Sequence, residues 1–419
     1  MKIEQLYKLF KQNYFVDTDT RKIRNGSLFF ALKGANFNGN KFAKDALNKG
    51  ASFAIIDEEI YNTEPNTILV KNVLTTLQKL ANYHRRQLNI PIISLTGSNG
   101  KTTTKELINA VLSKKYNTTA TIGNLNNHIG VPLTLLSMLP KTEIGIVEMG
   151  ANHLKEIELL CQIAAPDFGY ITNFGKAHLE GFGSIEGIIK AKSELYDFLR
   201  TSGGKVFVNT DDSKQVQQSY GMDTITFNDE TIKFIEAKPF VLVQFKNTLI
   251  KSQLIGKYNY YNIAAAIAIG NYFGIEVNDI KIAIENYVPL NNRSQIIQKG
   301  TTKIILDAYN ANPSSMQAAL ENFNQWKDSN KIVFLGDMFE LGNESTVEHQ
   351  KIAELATSFN FNNLFLIGKA FSTTRVKNAF VYATFEDLKS SNKNLILNNS
   401  TILIKGSRGM ALERILDLF

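Results

Sequence analysis

LTGSNGKTTTKE, residues 95–106, decides how this chain is read. The apolar run IPIISL (90–95) leads into it, and a helix-compatible run from Lys105 to Leu112 leaves it. Strand, glycine turn and helix in that order are the setting of a phosphate-binding loop. Gly97 and Gly100 let the turn tighten until backbone N–H groups of Ser98, Asn99 and their neighbours converge on one phosphate, and the helix N-terminus adds partial positive charge. Lys101 can reach the β- and γ-phosphates, and the Thr102 hydroxyl can ligate Mg2+. The common pattern also asks for glycine at position 95, where this chain has Leu95; what remains is G-x-x-G-K-T followed by Thr103 and Thr104. The plain alternative is an ordinary glycine turn before a helix.

Working outward, the 419 residues predict about three domains. With 44% hydrophobic and 20% charged residues the chain has ample material for buried cores. Its net charge of +7 is spread over scattered lysines, without a dense basic block, so it favours small anionic substrates over nucleic acid or has no functional meaning. The single cysteine, Cys161, excludes an internal disulfide, fits a reducing compartment and reads as buried filler in IELLCQIAA. MKIEQLYKLFKQ has no signal-peptide core, and no apolar run approaches a membrane span. A cytoplasmic, soluble monomer without membrane insertion is expected.

Three α/β units follow from the strand and helix pattern. Residues 1–88 carry strand candidates SLFFAL (27–32), SFAIID (52–57) and TILVKN (67–72), with helices at 42–48 and 73–88. Residues 89–292 hold the loop, then IGIVEMG (144–150) and FGYITNFG (168–175), strands that deliver polar residues to the same sheet edge. KVFVN (205–209), FVLVQF (240–245) and TLIKSQLIG (248–256) read as an antiparallel excursion before a helix from Tyr258 to Phe273. Residues 293–419 alternate KIILDA, KIVFLGD, NLFLIG, AFVYAT and TILIKG with helical runs, a second doubly wound unit.

Several polar residues fall where such sheets bind ligands. Glu148, after IGIV, is either a surface carboxylate or an oxygen ligand for Mg2+. His178, in TNFGKAHLEGFG, is either structural or a ligand. Lys192, in IIKAKSELYDFL, is either a solvated lysine paired with Glu194 or a carbamylated one, which requires a depressed pKa. Asn259 and Asn262 share a helix face and suit an adenine edge or an N-cap. Arg293 could reach a phosphate and Asp307 a ribose hydroxyl; each is otherwise a surface charge.

Taken in order, TGSNGKTTT, NLNNHIGVP, EMGANH, NFGKAHLEGFGS, AKSE, GKYNYYN, NNRSQ, DAYNANPSSM, LGDMFELG and KGSRGM resemble the Mur ligases, amide ligases of bacterial peptidoglycan synthesis. The resemblance covers the whole chain and includes the missing first glycine of the loop. It implies a small UDP-binding module, a central ATPase domain with a mostly parallel sheet, and a C-terminal Rossmann-like domain. Among family members, LNNHIGVP, DAYNANPSSM, LGDMFELG and KGSRGM look most like the one that adds D-alanyl-D-alanine to UDP-N-acetylmuramoyl-tripeptide.

By resemblance, Lys101 and the loop bind ATP, Thr102 and Glu148 hold one Mg2+, and His178 and a carbamylated Lys192 hold a second. Asn259, Asn262 and Asp307 contact adenosine, and Arg293 the γ-phosphate. Arg21, Ser27, Asn38 and Gly39 fall in the uridine-nucleotide region; Asn126, Asn127 and His128 face the muramoyl-peptide; Lys405, Ser407 and Arg408 are expected to serve the incoming dipeptide and domain closure. Tyr258 stands where the family usually has His, and Ala308 where it usually has Ser. The alternatives are a folylpolyglutamate synthetase-like ligase, a P-loop switch ATPase and a non-catalytic nucleotide-binding module. The N-terminal stretch TDTRKIRNGSLFFALKGANFNGNKF (18–42) speaks against the first, and EMG with a downstream His and Lys against the second.

Overall fold

Six parallel strands form the centre of the molecule, in the order Thr224–Phe227, Lys205–Asn209, Phe168–Ile171, Ile92–Thr96, Ile144–Glu148 and Thr118–Ala120. A computed structural model describes residues 1–290, 292–391 and 398–418; Asn291, first residue of NNRSQ, lies outside the described residues. Ile92–Thr96 is buried along its whole length, as a strand covered on both faces must be, which explains its unbroken apolar run. The chain leaves this strand to both sides, so the phosphate loop stands at the topological switch point of the sheet. Register places Leu95 beside Glu148 and Thr96 beside Ile171, bringing three strand ends to one edge.

The N-terminal unit is a four-stranded parallel sheet, Val16–Asp17, Leu28–Phe30, Phe53–Ile56 and Thr67–Leu69. Helix Val73–Leu88 joins it to the centre. Asn72 caps this helix by accepting from Thr75 N at 2.8 Å, and Asn89 ends it in the left-handed conformation. Its buried face, Val73, Leu77, Leu80, Ala81 and His84, shares one apolar core with Leu6 and Phe10 on one side and Val131 and Ile157 on the other. His84 Nε2 lies 2.8 Å from Met138 O, and burial holds its imidazole below the usual histidine range. The C-terminal unit is a six-stranded sheet, Gln295–Lys299, Thr302–Asp307, Thr401–Lys405, Lys331–Gly336, Asn363–Ile367 and Phe380–Tyr382; only its first pair is antiparallel.

Two expectations are corrected here. Lys205–Asn209 is no part of an antiparallel excursion: it pairs in parallel with Phe168–Ile171 and Thr224–Phe227, and Val206 to Asn209 are all buried. Its short alternation resembled a two-faced strand, but both faces are covered. The excursion is confined to Ile232–Ala237, Phe240–Phe245 and Thr248–Ile255. The loop helix begins at Lys101 and not Lys105, because left-handed Gly100 starts it directly and the β-branched Thr102–Thr104 obscured its first turn. No helix among the described residues is long and apolar enough to cross a membrane.

The seam between the first two units is polar as well as apolar. Arg85, buried, donates to Ala164 O, Ala165 O and Ile90 O and pairs with Asp167 at 2.7 Å, while Asp167 also accepts from Ile92 N. Arg85→Ala leaves these carbonyls unpaired at the root of the phosphate-loop strand. We expect a loss of about 1–3 kcal/mol, the cost of leaving buried carbonyls without a donor, read as a lower urea midpoint. An unchanged midpoint contradicts this role for Arg85.

Candidate active site

The phosphate loop is shaped by two close approaches. Gly97 has φ +142°, and a Cβ on it would lie 2.0 Å from Thr172 Oγ1. Gly100 has φ +79°, and a Cβ on it would lie 2.4 Å from Asn262 Oδ1. Only glycine fits either place. Ser98 N donates to Asn173 O and Ser98 Oγ to Gly175 O; Thr172 Oγ1 and Asn173 Nδ2 both donate to Asn99 O. From the other side, Asn262 Oδ1 accepts from Thr104 Oγ1, Asn262 Nδ2 donates to Asn259 Oδ1, and Asn259 Nδ2 donates to Ile255 O. The two asparagines, read as adenine contacts, thus tie helix Tyr258–Tyr272 to the loop helix, while both still border the cleft.

That cleft, of about 1250 Å3, lies between the central and C-terminal units. It is bordered by Ser98 to Thr103, Asn126 to His128, Glu148, His178, Asn259, Asn262, Arg293, Asp307, Lys405, Ser407 and Arg408. Lys101 Nζ donates to Gly97 O at 2.6 Å and Ser98 O at 3.3 Å. Burial lowers its pKa; Glu148 opposes that shift and Arg293 adds to it. Arg293 itself lies over the Tyr309 ring, 3.6 Å from its centroid.

Glu148 is buried, and its Oε1 accepts from Thr102 Oγ1 at 3.2 Å and Asn126 Nδ2 at 2.8 Å. Its Oε2 is buried without a hydrogen-bond partner. An orphaned carboxylate oxygen beside a threonine hydroxyl is a hard, all-oxygen donor set that suits a magnesium ion completing its shell with water and phosphate. No cluster of three His, Cys, Asp or Glu side chains able to hold a metal occurs among the described residues.

His178, φ +53°, stands at the head of helix Leu179–Phe182, with Nδ1 2.5 Å from the Glu340 carboxylate. Lys192 lies behind the cleft wall, 1% exposed, its Nζ donating to Ala151 O at 3.3 Å and lying 5.0 Å from the Phe182 ring centroid. Burial, with the charge of Lys101, holds its pKa well below the usual lysine range. The solvated-lysine reading is therefore wrong, and the shift runs in the direction that carbamylation needs. Glu194 is turned away, accepting from Lys155 N and Glu158 N.

Most of the other expected residues also bond within the protein. Lys405 is no free cation for a dipeptide: register sets it beside Asp307, its Nζ lies 2.6 Å from Asp307 Oδ2, and it is buried. Asp307 Oδ1 also accepts from Ser294 N, so the expected ribose acceptor is already doubly engaged. Ser407, buried, accepts from Phe339 N. Arg408 remains largely exposed and pairs with Glu413 at 2.7 Å. Asn127 caps helix Gly130–Leu136 by accepting from Ile129 N and Gly130 N, whereas His128 is exposed on the cleft wall. Tyr258, in place of the family histidine, has its hydroxyl 3.0 Å from Ser294 Oγ, and burial raises its pKa. Ala308 is fully buried, where a serine hydroxyl would need a partner.

The four residues expected at the uridine nucleotide do not border this cleft. Arg21 is exposed and held by Asp19 at 2.7 Å; Ser27 is fully buried, its Oγ among those without a partner. Asn38 caps the turn Gly39–Phe42 and donates to Glu58, and a Cβ on Gly39 would meet Leu32 O at 2.4 Å. All four lie in the N-terminal unit, Ser27 and Gly39 buried, Asn38 half-buried and Arg21 exposed. The sequence reading missed Asn173, Asn312, Ser314 and Glu340, which lie inside quoted motifs but act across the chain. Asn312 Nδ2 donates to Asn99 Oδ1 at 2.8 Å, and Lys176 N donates to Ser314 Oγ at 2.9 Å.

Comparisons with known proteins agree with this arrangement. Residues 12–95 match the Mur ligase family, catalytic domain; 95–270 the Mur ligase middle domain; 292–408 the Mur ligase, glutamate ligase domain. The UDP-N-acetylmuramoyl-tripeptide--D-alanyl-D-alanine ligase of Bacillus subtilis is 36% identical over 424 residues, covering 96% of this chain and 92% of its own. The crystal structure of MurF from Acinetobacter baumannii is similar with a TM-score of 0.87 at 29% identity, covering 96% of this chain and 92% of that one. MurF ligase from Thermotoga maritima, in complex with ADP, is similar with a TM-score of 0.85 at 26% identity, covering 97% and 96%. Matched in three consecutive segments and along nearly its whole length, the chain belongs to the Mur ligase family.

Proposed function

We propose that this chain joins D-alanyl-D-alanine to UDP-N-acetylmuramoyl-tripeptide with ATP, forming ADP and phosphate, in peptidoglycan precursor synthesis. One observation carries the reading: relatives that bear this activity by name align over 96% of the chain, phosphate loop to C-terminal turn. A folylpolyglutamate-type ligase, a switch ATPase and a mere nucleotide-binding module each leave part of that alignment without a purpose. The reading assigns residues 1–88 to the UDP-muramoyl-peptide, 89–292 to ATP and 293–419 to the amine. It takes the protein as a cytoplasmic monomer.

The terminal carboxylate of the tripeptide, ending in meso-diaminopimelate or lysine, attacks the γ-phosphorus of ATP. The bond to the bridging oxygen breaks, and an acyl phosphate and ADP result. The amine of the dipeptide then attacks the acyl carbon, loses a proton, and phosphate leaves from the tetrahedral intermediate. Two anions must meet in the first step. Lys101 and Arg293 neutralise that repulsion from opposite units of the protein. Backbone N–H groups of Gly100 to Thr103 hold the phosphates, and Asn126 fixes the Glu148 carboxylate. Glu148 and Thr102 would hold a Mg2+ ion, and His178 with a carbamate on Lys192 a second; such ions supply positive charge to the transferring phosphoryl oxygens. Carbamylation itself adds CO2 to the neutral Lys192 amine and releases one proton. The C-terminal unit excludes water, which would hydrolyse the acyl phosphate.

Lys192→Ala is expected to lose at least tenfold in turnover, with short carboxylates such as formate or acetate restoring part of it. A small carboxylate can occupy the vacated space, as it cannot if Lys192 only packs. Turnover in the variant equal to wild type contradicts the carbamate.

Substrate identity is tested by competition. ATP, Mg2+ and UDP-muramoyl-tripeptide are mixed with D-alanyl-D-alanine, D-glutamate and L-alanyl-L-alanine, and products are read by mass spectrometry. The expected product carries one added D-alanyl-D-alanine, with the L,L-dipeptide rejected because inversion misplaces its methyl groups and carboxylate. A product bearing a single D-glutamate overturns the proposal.

A further inference from the structure

Of the large apolar side chains exposed on the wall of this cleft, Leu159, Tyr261 and Phe339, the last is the most exposed. Phe339 is 46% exposed and borders the cleft from the C-terminal unit. Aromatic rings left in water inside a pocket usually meet a ligand. The ring is also held in place. It sits on the turn after strand Lys331–Gly336, where Met338 N donates to buried His349 Nε2 at 2.9 Å and Phe339 N to Ser407 Oγ at 2.9 Å. Asp337, at the root of the turn, accepts from Ala370 N and Phe371 N, both at 2.9 Å. With Asp337, Met338 and Phe339 each tied by hydrogen bonds to fixed groups, the turn is a rigid mount, as a selective pocket needs.

Its two neighbours define what the ring faces. On one side, a Cβ on Gly409 would lie 2.7 Å from Phe339 Cε2, so the ring rests against the backbone beside Arg408. Arg408 is the cation of KGSRGM that stays exposed: its pair with Glu413 lies at the surface, where a ligand carboxylate can join it, whereas Lys405 is buried against Asp307. On the other side, the next residue, Glu340, reaches His178 at 2.5 Å on the ATP-binding unit. An apolar surface therefore lies between a cation and the wall where the acyl phosphate forms. That order matches a small dipeptide laid with its carboxylate at Arg408, its side chains on Phe339 and its amine towards the central unit.

We infer that Phe339 is a specificity-determining residue for the amine substrate, its ring limiting the size of the side chain on the terminal D-residue. The inference rests on the function proposed above. A pocket wall of this kind discriminates by one methylene at roughly tenfold or more.

The test compares kcat/KM for D-alanyl-D-alanine and for D-alanyl-D-norvaline, with KM for ATP measured alongside. In the wild type, the bulkier dipeptide is expected to be at least tenfold poorer. Phe339→Ala should shrink that ratio at least tenfold, chiefly through a raised KM for D-alanyl-D-alanine and a lowered one for the bulkier dipeptide, with KM for ATP within twofold. Phe339→Leu should fall between. A merely structural ring would lower both dipeptides equally; an unchanged ratio in Phe339→Ala overturns the inference while the proposed function stands. A wild-type protein that ligates neither dipeptide overturns both.

Discussion

The phosphate loop keeps its shape because it is pressed between two polar clamps, and the rest of the site is arranged around that pressure. Thr172 and Asn173 hold the carbonyl of Asn99 from one side. Asn262 fills the space a side chain on Gly100 would take, and bonds Thr104 from the other. A turn with two glycines in left-handed or strained conformations costs conformational entropy. Here that cost is offset by hydrogen bonds that fix the loop, Ser98 N and Asn99 N both donating to Asn173, while Gly100 to Thr103 border the cleft. Pre-set donors need no rearrangement when charge moves on the phosphates, which is where such groups act most strongly.

The same loop is the point at which the C-terminal unit docks. Asn312 bonds Asn99, Ser314 bonds Lys176, and Glu340 reaches His178, so all three contacts fall on the loop or the segment clamping it. Closure of the cleft and the shape of the nucleotide site are therefore parts of one hydrogen-bonded network. Arg293 comes to the same place from the start of the C-terminal unit and lowers the Lys101 pKa together with burial. Two cations are kept close, an arrangement that favours an anion between them.

Features set by short stretches of chain were legible in the sequence. The strand–turn–helix around Gly97 and Gly100, helix Val73–Leu88 and the hairpin at 240–255 each follow from local pattern and turn chemistry. Features set by register or by contact between units were not. Lys405 looked like a free cation because nothing near it in sequence is acidic; its partner Asp307 comes from a strand about a hundred residues away that the sheet lays alongside it. Asn259 and Asn262 share a helix face as read, but that face meets the loop helix, so their amides bond protein first. Ser27 and Asn38 carried a family expectation; in the N-terminal unit Ser27 is buried and Asn38 caps a turn. Lys192 could be read both ways, and only its burial, set by packing between distant segments, decided against the solvated face.

At the centre of the account is a cleft in which the phosphate loop and the C-terminal unit act together, so that ATP is consumed only in bond formation. Phosphate release measures this directly, with ATP and Mg2+ present and each of UDP-muramoyl-tripeptide and D-alanyl-D-alanine added alone and then together. The account predicts sustained release only with both, one phosphate for each dipeptide joined. Release at the same rate with neither substrate present would contradict it.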